Sequence, residues 1–186
     1  MKQKNVVMLV TCALMAAIIC IFAPMSVPIG PVPISLTNLV LYFCIFIIGT
    51  KGTTISFLVY LLLGIVGLPV FSGYAGGIGK LAGPTGGYLV GFIPMVIIMG
   101  ICFEKIARQK KLVPSVLITT GGMIVGTLVA YALGTIWFVI QMKCDFGYAL
   151  TVCVFPFIPF DLLKMVIANI LGRAVRKPLL KQQLID

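Results

Sequence analysis

The chain has 186 residues, of which 61% are hydrophobic and 10% charged, and its mean hydropathy is +1.20. This composition excludes an ordinary soluble protein, which carries far more charge, and predicts a polytopic helical membrane protein with a single domain over residues 1–186. The formal net charge is +10, but the basic residues lie in short segments between hydrophobic runs, which favours membrane orientation over nucleic-acid binding.

The residue types argue against an enzyme and favour capture or transport of a solute. The chain has no histidine and four acidic residues, so neither a Ser–His nor a Cys–His dyad nor an ordinary two-metal site can be built. Its six cysteines show no CxxC spacing, and the sequence has no nucleotide-binding motif. No cofactor is predicted, and any ATP would be handled by another protein.

Hydrophobic runs predict an all-α integral membrane fold with six transmembrane helices. The spans are expected at residues 6–22, 36–48, 53–67, 88–103, 113–139 and 149–171. In the first span, Ala13 and Ala17 are four residues apart. They form a strip of small side chains that suits either internal packing or the approach of a helix from a partner protein.

The fifth span carries a second pattern of small residues. Gly122, Gly126, Ala130 and Gly134 recur every four residues and therefore lie along one face of the helix. Such a stripe predicts that another helix of the same chain packs closely against this face.

Two irregular segments interrupt the helical pattern. Residues 23–35 contain four prolines and no charge, so they cannot form a regular helix, yet they are too apolar for a free loop. Residues 68–87 are rich in glycine and include Phe71, Tyr74 and Lys80. Glycines allow close approach of the backbone to a ligand and present N–H groups to it. Both segments are predicted to fold against the membrane-embedded body.

The last hydrophobic run contains the strongest candidate for a functional site. Pro156 and Pro159 break its beginning, and Asp161 and Lys164 follow three residues apart, on one face of a helix. Ionisable groups at membrane depth are costly and usually mark a ligand site, although a structural ion pair that locks helix packing is the alternative. Asn38, at the start of the second span, either joins this site or only caps its helix.

The basic residues predict how the chain is oriented in the membrane. With six spans, the side that carries both termini holds eleven of them: Lys2, Lys4, Lys51, Lys105, Arg108, Lys110, Lys111, Arg173, Arg176, Lys177 and Lys181. The other side holds Lys80 and Lys143. The positive-inside rule therefore predicts that both termini are cytoplasmic and that both irregular segments form outer loops.

These elements together predict a pocket that faces outward and suits a small, partly apolar molecule with a polar head. Asp161 can accept hydrogen bonds from N–H donors, while Lys164 can neutralise that carboxylate or donate to an oxygen. The aromatic side chains of Phe71, Tyr74 and Tyr88 can cover an apolar body.

Three stretches of the chain also occur in a known pattern: GPVPISLTN at 30–38, GIVGLPVFSGYAGGIGKLAGPTGGYLVGF at 64–92 and PFIPFDLLK at 156–164. In these stretches the chain resembles the BioY family, the biotin-capturing S components of energy-coupling factor (ECF) transporters. The resemblance implies a six-helix, outward-facing biotin binder in the bacterial cell membrane. It also implies a transmembrane coupling protein with two cytoplasmic ATPases as partners, and it matches Ala13 and Ala17 to a strip that meets the coupling protein.

Biotin fits the predicted pocket chemically, because its ureido ring offers two N–H donors to a carboxylate such as Asp161. Asn38 or Lys164 is expected to serve the ureido oxygen, and the glycine-rich loop with Lys80 competes with Lys164 for the valerate carboxylate. The expected binding residues are Asp161, Lys164, Asn38, Tyr88, Phe71, Tyr74, Gly76, Gly77, Thr85 and Lys80. The alternatives are a stand-alone proton-coupled permease for a small vitamin-like solute and a membrane anchor or assembly protein without a ligand.

Overall fold

The computed structural model describes residues 2–107 and 112–182, and these residues are mostly helical. In the described residues the helices are α1 (Lys2–Phe22), α2 (Thr37–Val66), α3 (Ile78–Ala82), α4 (Gly86–Ala107), α5 (Leu112–Met142), α6 (Phe146–Cys153) and α7 (Phe157–Lys181). The predicted helical class is therefore confirmed. The proline-rich segment also contains a short antiparallel pair, β1 (Ser26–Val27) and β2 (Ile34–Ser35), which the sequence did not predict.

Helix α2 contains a break at Gly49, where φ is 63° and ψ is −170°. This conformation is accessible almost only to glycine. Asn38 and Tyr60 lie on either side of the break and line the same cavity, although 22 residues of straight helix would separate them by about 33 Å. The chain therefore reverses direction at Gly49, which lies between the spans predicted at residues 36–48 and 53–67.

Within the described residues, three helical segments are long and apolar enough to cross a membrane by themselves: Thr37–Val66, Gly86–Lys105 and Ser115–Met142. A fourth candidate is the pair α6 and α7, which is bent by 41°. Pro156 lies in the break between these helices, and Pro159 lies in the first turn of α7, where a missing N–H costs little. The predicted proline break at the start of the last span is thus present.

The small residues of α5 bring its backbone close to α4. A side chain on Gly126 would place its Cβ 2.8 Å from the carbonyl oxygen of Met95, and one on Gly122 would place it 2.5 Å from Cys102 Cβ. Gly91 of α4 faces the Ala130 backbone in the same way. These contacts confirm the predicted packing stripe.

Helix α1 packs on α2 through the face opposite to its alanine strip. Met15 and Ala16 are buried, and the Ser56 hydroxyl donates to the Cys12 carbonyl at 2.8 Å. Ala13 and Ala17 are exposed. The strip therefore does not pack inside the chain, and internal packing, one of the two interpretations of its sequence, is wrong.

Candidate functional site

A cavity of about 640 Å³, which includes space open to solvent, lies between the proline-rich segment and the starts of α2, α4 and α7. The second half of α2 and the middle of α5 form its remaining walls. About half of its lining residues are apolar or aromatic, and the others are polar or charged: Val32, Pro33, Ser35, Thr37, Asn38, Tyr60, Ser72, Thr85, Tyr88, Leu89, Phe92, Thr127, Ala130, Tyr131, Phe157, Asp161 and Lys164.

Asp161 is the centre of the polar wall. Its exposed fraction is 4%, and both of its carboxylate oxygens accept hydrogen bonds from other helices. Oδ1 accepts from Asn38 Nδ2 at 2.7 Å and from Lys164 Nζ at 2.9 Å, while Oδ2 accepts from the Tyr131 hydroxyl at 2.6 Å. A carboxylate oxygen offers two lone pairs, so Oδ2 can take one further N–H donor from a ligand.

Lys164 forms an ion pair with Asp161 and has an acceptor for each of its three N–H groups. Besides Asp161, Nζ donates to the carbonyl oxygen of Ser35 at 2.9 Å and to Asn38 Oδ1 at 3.0 Å. The exposed fraction of Lys164 is 7%. An ammonium group has three donors and no acceptor, so a new ligand contact at Nζ requires one of these bonds to open.

Asn38 joins the two charged residues and also contacts the first turn of α2. Leu36 is the N-cap residue of α2, and no side chain accepts a cap hydrogen bond there. The Asn38 amide donates to Asp161 through Nδ2, and its Oδ1 accepts from Lys164 and from the Leu39 backbone N–H at 3.1 Å. Asn38 therefore belongs to the polar cluster and also satisfies one N–H group at the start of its helix.

Thr85 and Tyr88 were also predicted as binding residues, and both line the cavity. The Tyr88 hydroxyl donates to the Cys153 carbonyl at 3.1 Å and lies 3.2 Å from the Thr135 hydroxyl. Its ring packs where Gly134 has no side chain, since a Cβ there would approach the ring to 2.4 Å. Tyr88 is thus a fixed aromatic wall.

The remaining predicted residues lie in the glycine-rich segment and do not line the cavity. Phe71 is fully buried beside Gly64 and stands edge-on to Tyr60 at a centroid distance of 5.5 Å, so it supports the wall from behind. Tyr74 points outward with an exposed fraction of 68%. The Gly77 N–H donates to the Gly64 carbonyl at 2.7 Å and is not available to a ligand.

Gly76 and Lys80 are likewise outside the cavity wall. A Cβ on Gly76 would lie 2.4 Å from the Leu68 carbonyl oxygen, so this glycine is needed for the fold of the loop. Lys80 is half-buried on α3, whose end is held by the Trp137 indole donating to the Gly83 carbonyl at 2.9 Å. These residues lie outside the cavity wall because the loop folds onto the end of α2, and their contact with a ligand stays a prediction.

Sequence reasoning missed Tyr131, Tyr60 and Thr127, which also line the cavity. Each lies within a long apolar helix, where a tyrosine or threonine is compatible with ordinary helix packing. For Tyr131 the available signal was its position four residues after Thr127, which places these two polar side chains on one face of the helix.

Comparison with known proteins gives a consistent result across sequence and structure. The family model described as "BioY family" matches residues 1–181. The chain is 34% identical over 179 residues to the biotin transporter BioY2 of Lactococcus lactis subsp. cremoris, which covers 96% of this chain and 95% of the relative. It is 35% identical over 170 residues to the biotin transporter BioY of Thermotoga maritima, covering 91% of this chain and 95% of the relative.

A solved structure shares the fold. It is a crystal structure of the S-component for biotin from an ECF-type ABC transporter, with a TM-score of 0.84 and 28% sequence identity. The similarity covers 95% of this chain and 94% of that protein.

Proposed function

Because this chain belongs to the BioY family, we propose that it captures biotin at the cavity around Asp161 and acts as the substrate-binding S component of an ECF-type transporter. The observation that carries the proposal is the buried cluster of Asn38, Asp161 and Lys164 on the wall of a cavity that opens to solvent. Similarity to biotin transporters over nearly the whole chain does not favour a stand-alone permease or a ligand-free anchor.

The cavity offers complementary groups to a cyclic urea. Asp161 Oδ2 has a free lone pair beside the Tyr131 hydroxyl, and this pair of oxygens can accept the ureido N–H groups of biotin. The apolar ring and chain of biotin would lie against the walls formed by Tyr88, Phe92 and Phe157. Burial of these surfaces supplies the non-directional part of the affinity, and the carboxylate supplies the specificity.

We also propose that six helices of the chain span the membrane and that both termini lie in the cytoplasm. The reversal at Gly49 divides α2 into two antiparallel halves, and the apolar part of α1 adds a further helix. Opposite the cavity, Glu104 Oε1 accepts from the Thr50 backbone N–H at 3.2 Å, and Arg173 donates to Ser115 Oγ at 3.1 Å. That end carries most of the basic residues, so it would face the cytoplasm and the cavity would face outward.

We further propose that the protein is a multi-pass component of the bacterial cell membrane that does not hydrolyse ATP itself. A transmembrane coupling protein with two cytoplasmic ATPases would complete the transporter. The exposed strip of Ala13 and Ala17 on α1 is the proposed docking site for the coupling protein, because small side chains allow a helix to approach closely.

Equilibrium binding of radiolabelled biotin to purified protein that has been freed of bound ligand tests the proposed function. Saturable binding without ATP or any partner protein is expected, because the cavity and its polar cluster are already formed in this chain. Another vitamin of similar size serves as the control. No saturable biotin binding to folded protein would refute the proposal.

A further inference from the structure

Tyr60 carries a buried polar atom that has no partner within the protein. In the described residues, three buried side-chain nitrogen or oxygen atoms lack a hydrogen bond, and Tyr60 is the residue among these three that lines the cavity. The residue is 0% exposed, and its ring is fixed by Phe57, stacked at 5.5 Å, and by Phe71. Because an unpaired buried hydroxyl is costly, a partner is expected to arrive from within the cavity.

The proton of this hydroxyl requires an acceptor. The side chain of Thr37 neighbours the Tyr60 hydroxyl without completing a hydrogen bond. The Thr37 oxygen already accepts from Ser35 Oγ at 3.0 Å. Thr37 and Tyr60 therefore lie at the same part of the cavity. A ligand oxygen there can accept from both hydroxyl groups, because it has two lone pairs.

This part of the cavity lies beside the acceptors for ligand N–H groups. Thr37 and Asn38 are consecutive at the start of α2, and Asn38 Nδ2 donates to Asp161 at 2.7 Å. In a urea the carbonyl oxygen stands between the two N–H groups, so a urea that donates to Asp161 presents its oxygen close by. A carboxylate at the end of a flexible chain would be farther away.

Resting on the proposed function, we infer that Tyr60 donates a hydrogen bond to the ureido oxygen of biotin and thereby helps the site to select a cyclic urea. Lys164 is less suited to this role, because its three N–H groups already have acceptors within the protein. Tyr60 therefore completes the recognition that Asp161 begins, with Asp161 accepting one ureido N–H group and Tyr60 serving the oxygen.

Tyr60→Phe tests this inference, with Tyr42→Phe as a matched control. Tyr42 is also on α2 and 0% exposed, but its hydroxyl bonds within the protein to Thr127. Tyr60→Phe is expected to weaken biotin binding roughly 5- to 100-fold, with about 10-fold as the central value. It should not lower the melting temperature of the ligand-free protein. Tyr42→Phe is expected to lower the melting temperature and to leave biotin affinity within about threefold of the unmodified protein.

Two biotin analogues, measured by competition against labelled biotin, identify the ligand atom. In the thione analogue, sulfur replaces the ureido oxygen and is a weak acceptor, so the loss caused by Tyr60→Phe should shrink to about threefold or less. The methyl ester of biotin, which keeps the urea, should show the full loss. A full loss with the thione, or a loss that vanishes with the ester, would overturn the assignment to the ureido oxygen.

Unchanged biotin affinity in Tyr60→Phe would overturn the inference while leaving the proposed function intact. Absent binding in the unmodified protein would refute that function itself.

Discussion

Replacing Asp161 by asparagine is the sharpest test of the proposed site. The substitution keeps the shape of the side chain but removes the charge that faces Lys164 at 2.9 Å. Lys164 would remain buried at 7% exposure with two neutral acceptors, the Ser35 carbonyl and Asn38 Oδ1. The substitution also places an N–H₂ group on one of the positions that now accept hydrogen bonds.

The expected effects on stability and affinity follow from this burial. Removal of one partner from a buried ion pair typically lowers the free energy of unfolding by about 3–5 kcal/mol. Loss of a buried, charge-assisted contact with a ligand typically costs about 2–5 kcal/mol, so biotin affinity should fall roughly 30-fold to several thousand-fold. Binding of labelled biotin and thermal unfolding should be measured on the same purified samples.

The double variant Asp161→Asn with Lys164→Met separates a ligand contact from a purely structural ion pair. Because it removes the orphaned cation, it should recover most of the stability that Asp161→Asn loses. If Asp161 accepts a ureido N–H group, the affinity stays low in the double variant; if the pair is only structural, the affinity recovers with the stability. Asn169→Ala is a suitable control, since Asn169 is buried on the same helix but bonds to Thr120 and Met165, away from the cavity.

The reasoning would be refuted if folded Asp161→Asn protein bound biotin within about threefold of the unmodified protein, a difference of less than roughly 0.7 kcal/mol. That result would remove the carboxylate from the ligand and leave it as a helix-packing residue.

Three further predictions address the partner surface, the helix break and the loop. Ala17→Trp should abolish co-purification with the coupling protein while leaving biotin affinity within about twofold, and an intact complex would exclude the α1 strip as the docking site. Gly49→Ala should lower the free energy of unfolding by about 1–3 kcal/mol, because φ is 63° there, and unchanged chemical denaturation would contradict this strain. Lys80→Gln should weaken biotin about threefold to tenfold but leave biotin methyl ester unchanged, and equal losses for both ligands would exclude Lys80 as the partner of the carboxylate.

Several features of this molecule could be predicted from sequence because the bilayer restricts the possibilities so strongly. A buried charge within an apolar run is costly enough to require a partner, which singled out Asp161 and Lys164. Their spacing of three residues then placed both on one helix face, as the ion pair at 2.9 Å confirms. The glycines of α5 were equally informative, because small residues at a spacing of four in a membrane helix usually mark a close contact with another helix.

The other walls of the cavity depend on contacts between distant parts of the chain, which a single sequence does not reveal. Tyr131 bonds to Asp161 across 30 residues, and Asn38 does so across 123. For Phe71 the sequence is compatible with two roles, since an aromatic residue in an apolar loop can contact a ligand or pack inside the protein. In the structure its ring packs against Gly64, which has no side chain, and this contact makes Phe71 a packing residue.

The hydrogen bonds of Lys164 have a consequence for how biotin lies in the cavity. Each N–H group of Lys164 already has an acceptor within 3.0 Å, and one of these acceptors is the Asp161 carboxylate. A ligand carboxylate at this position would have to displace one of these bonds and would place a second negative charge beside Asp161, which is unfavourable in a buried site. A neutral urea avoids both costs, because it donates to the free lone pair on Asp161 Oδ2 and leaves the ion pair intact. The charge distribution of the cavity therefore favours the proposed arrangement with the urea at the Asp161 end and the valerate carboxylate toward the glycine-rich segment, where Lys80 is located on α3.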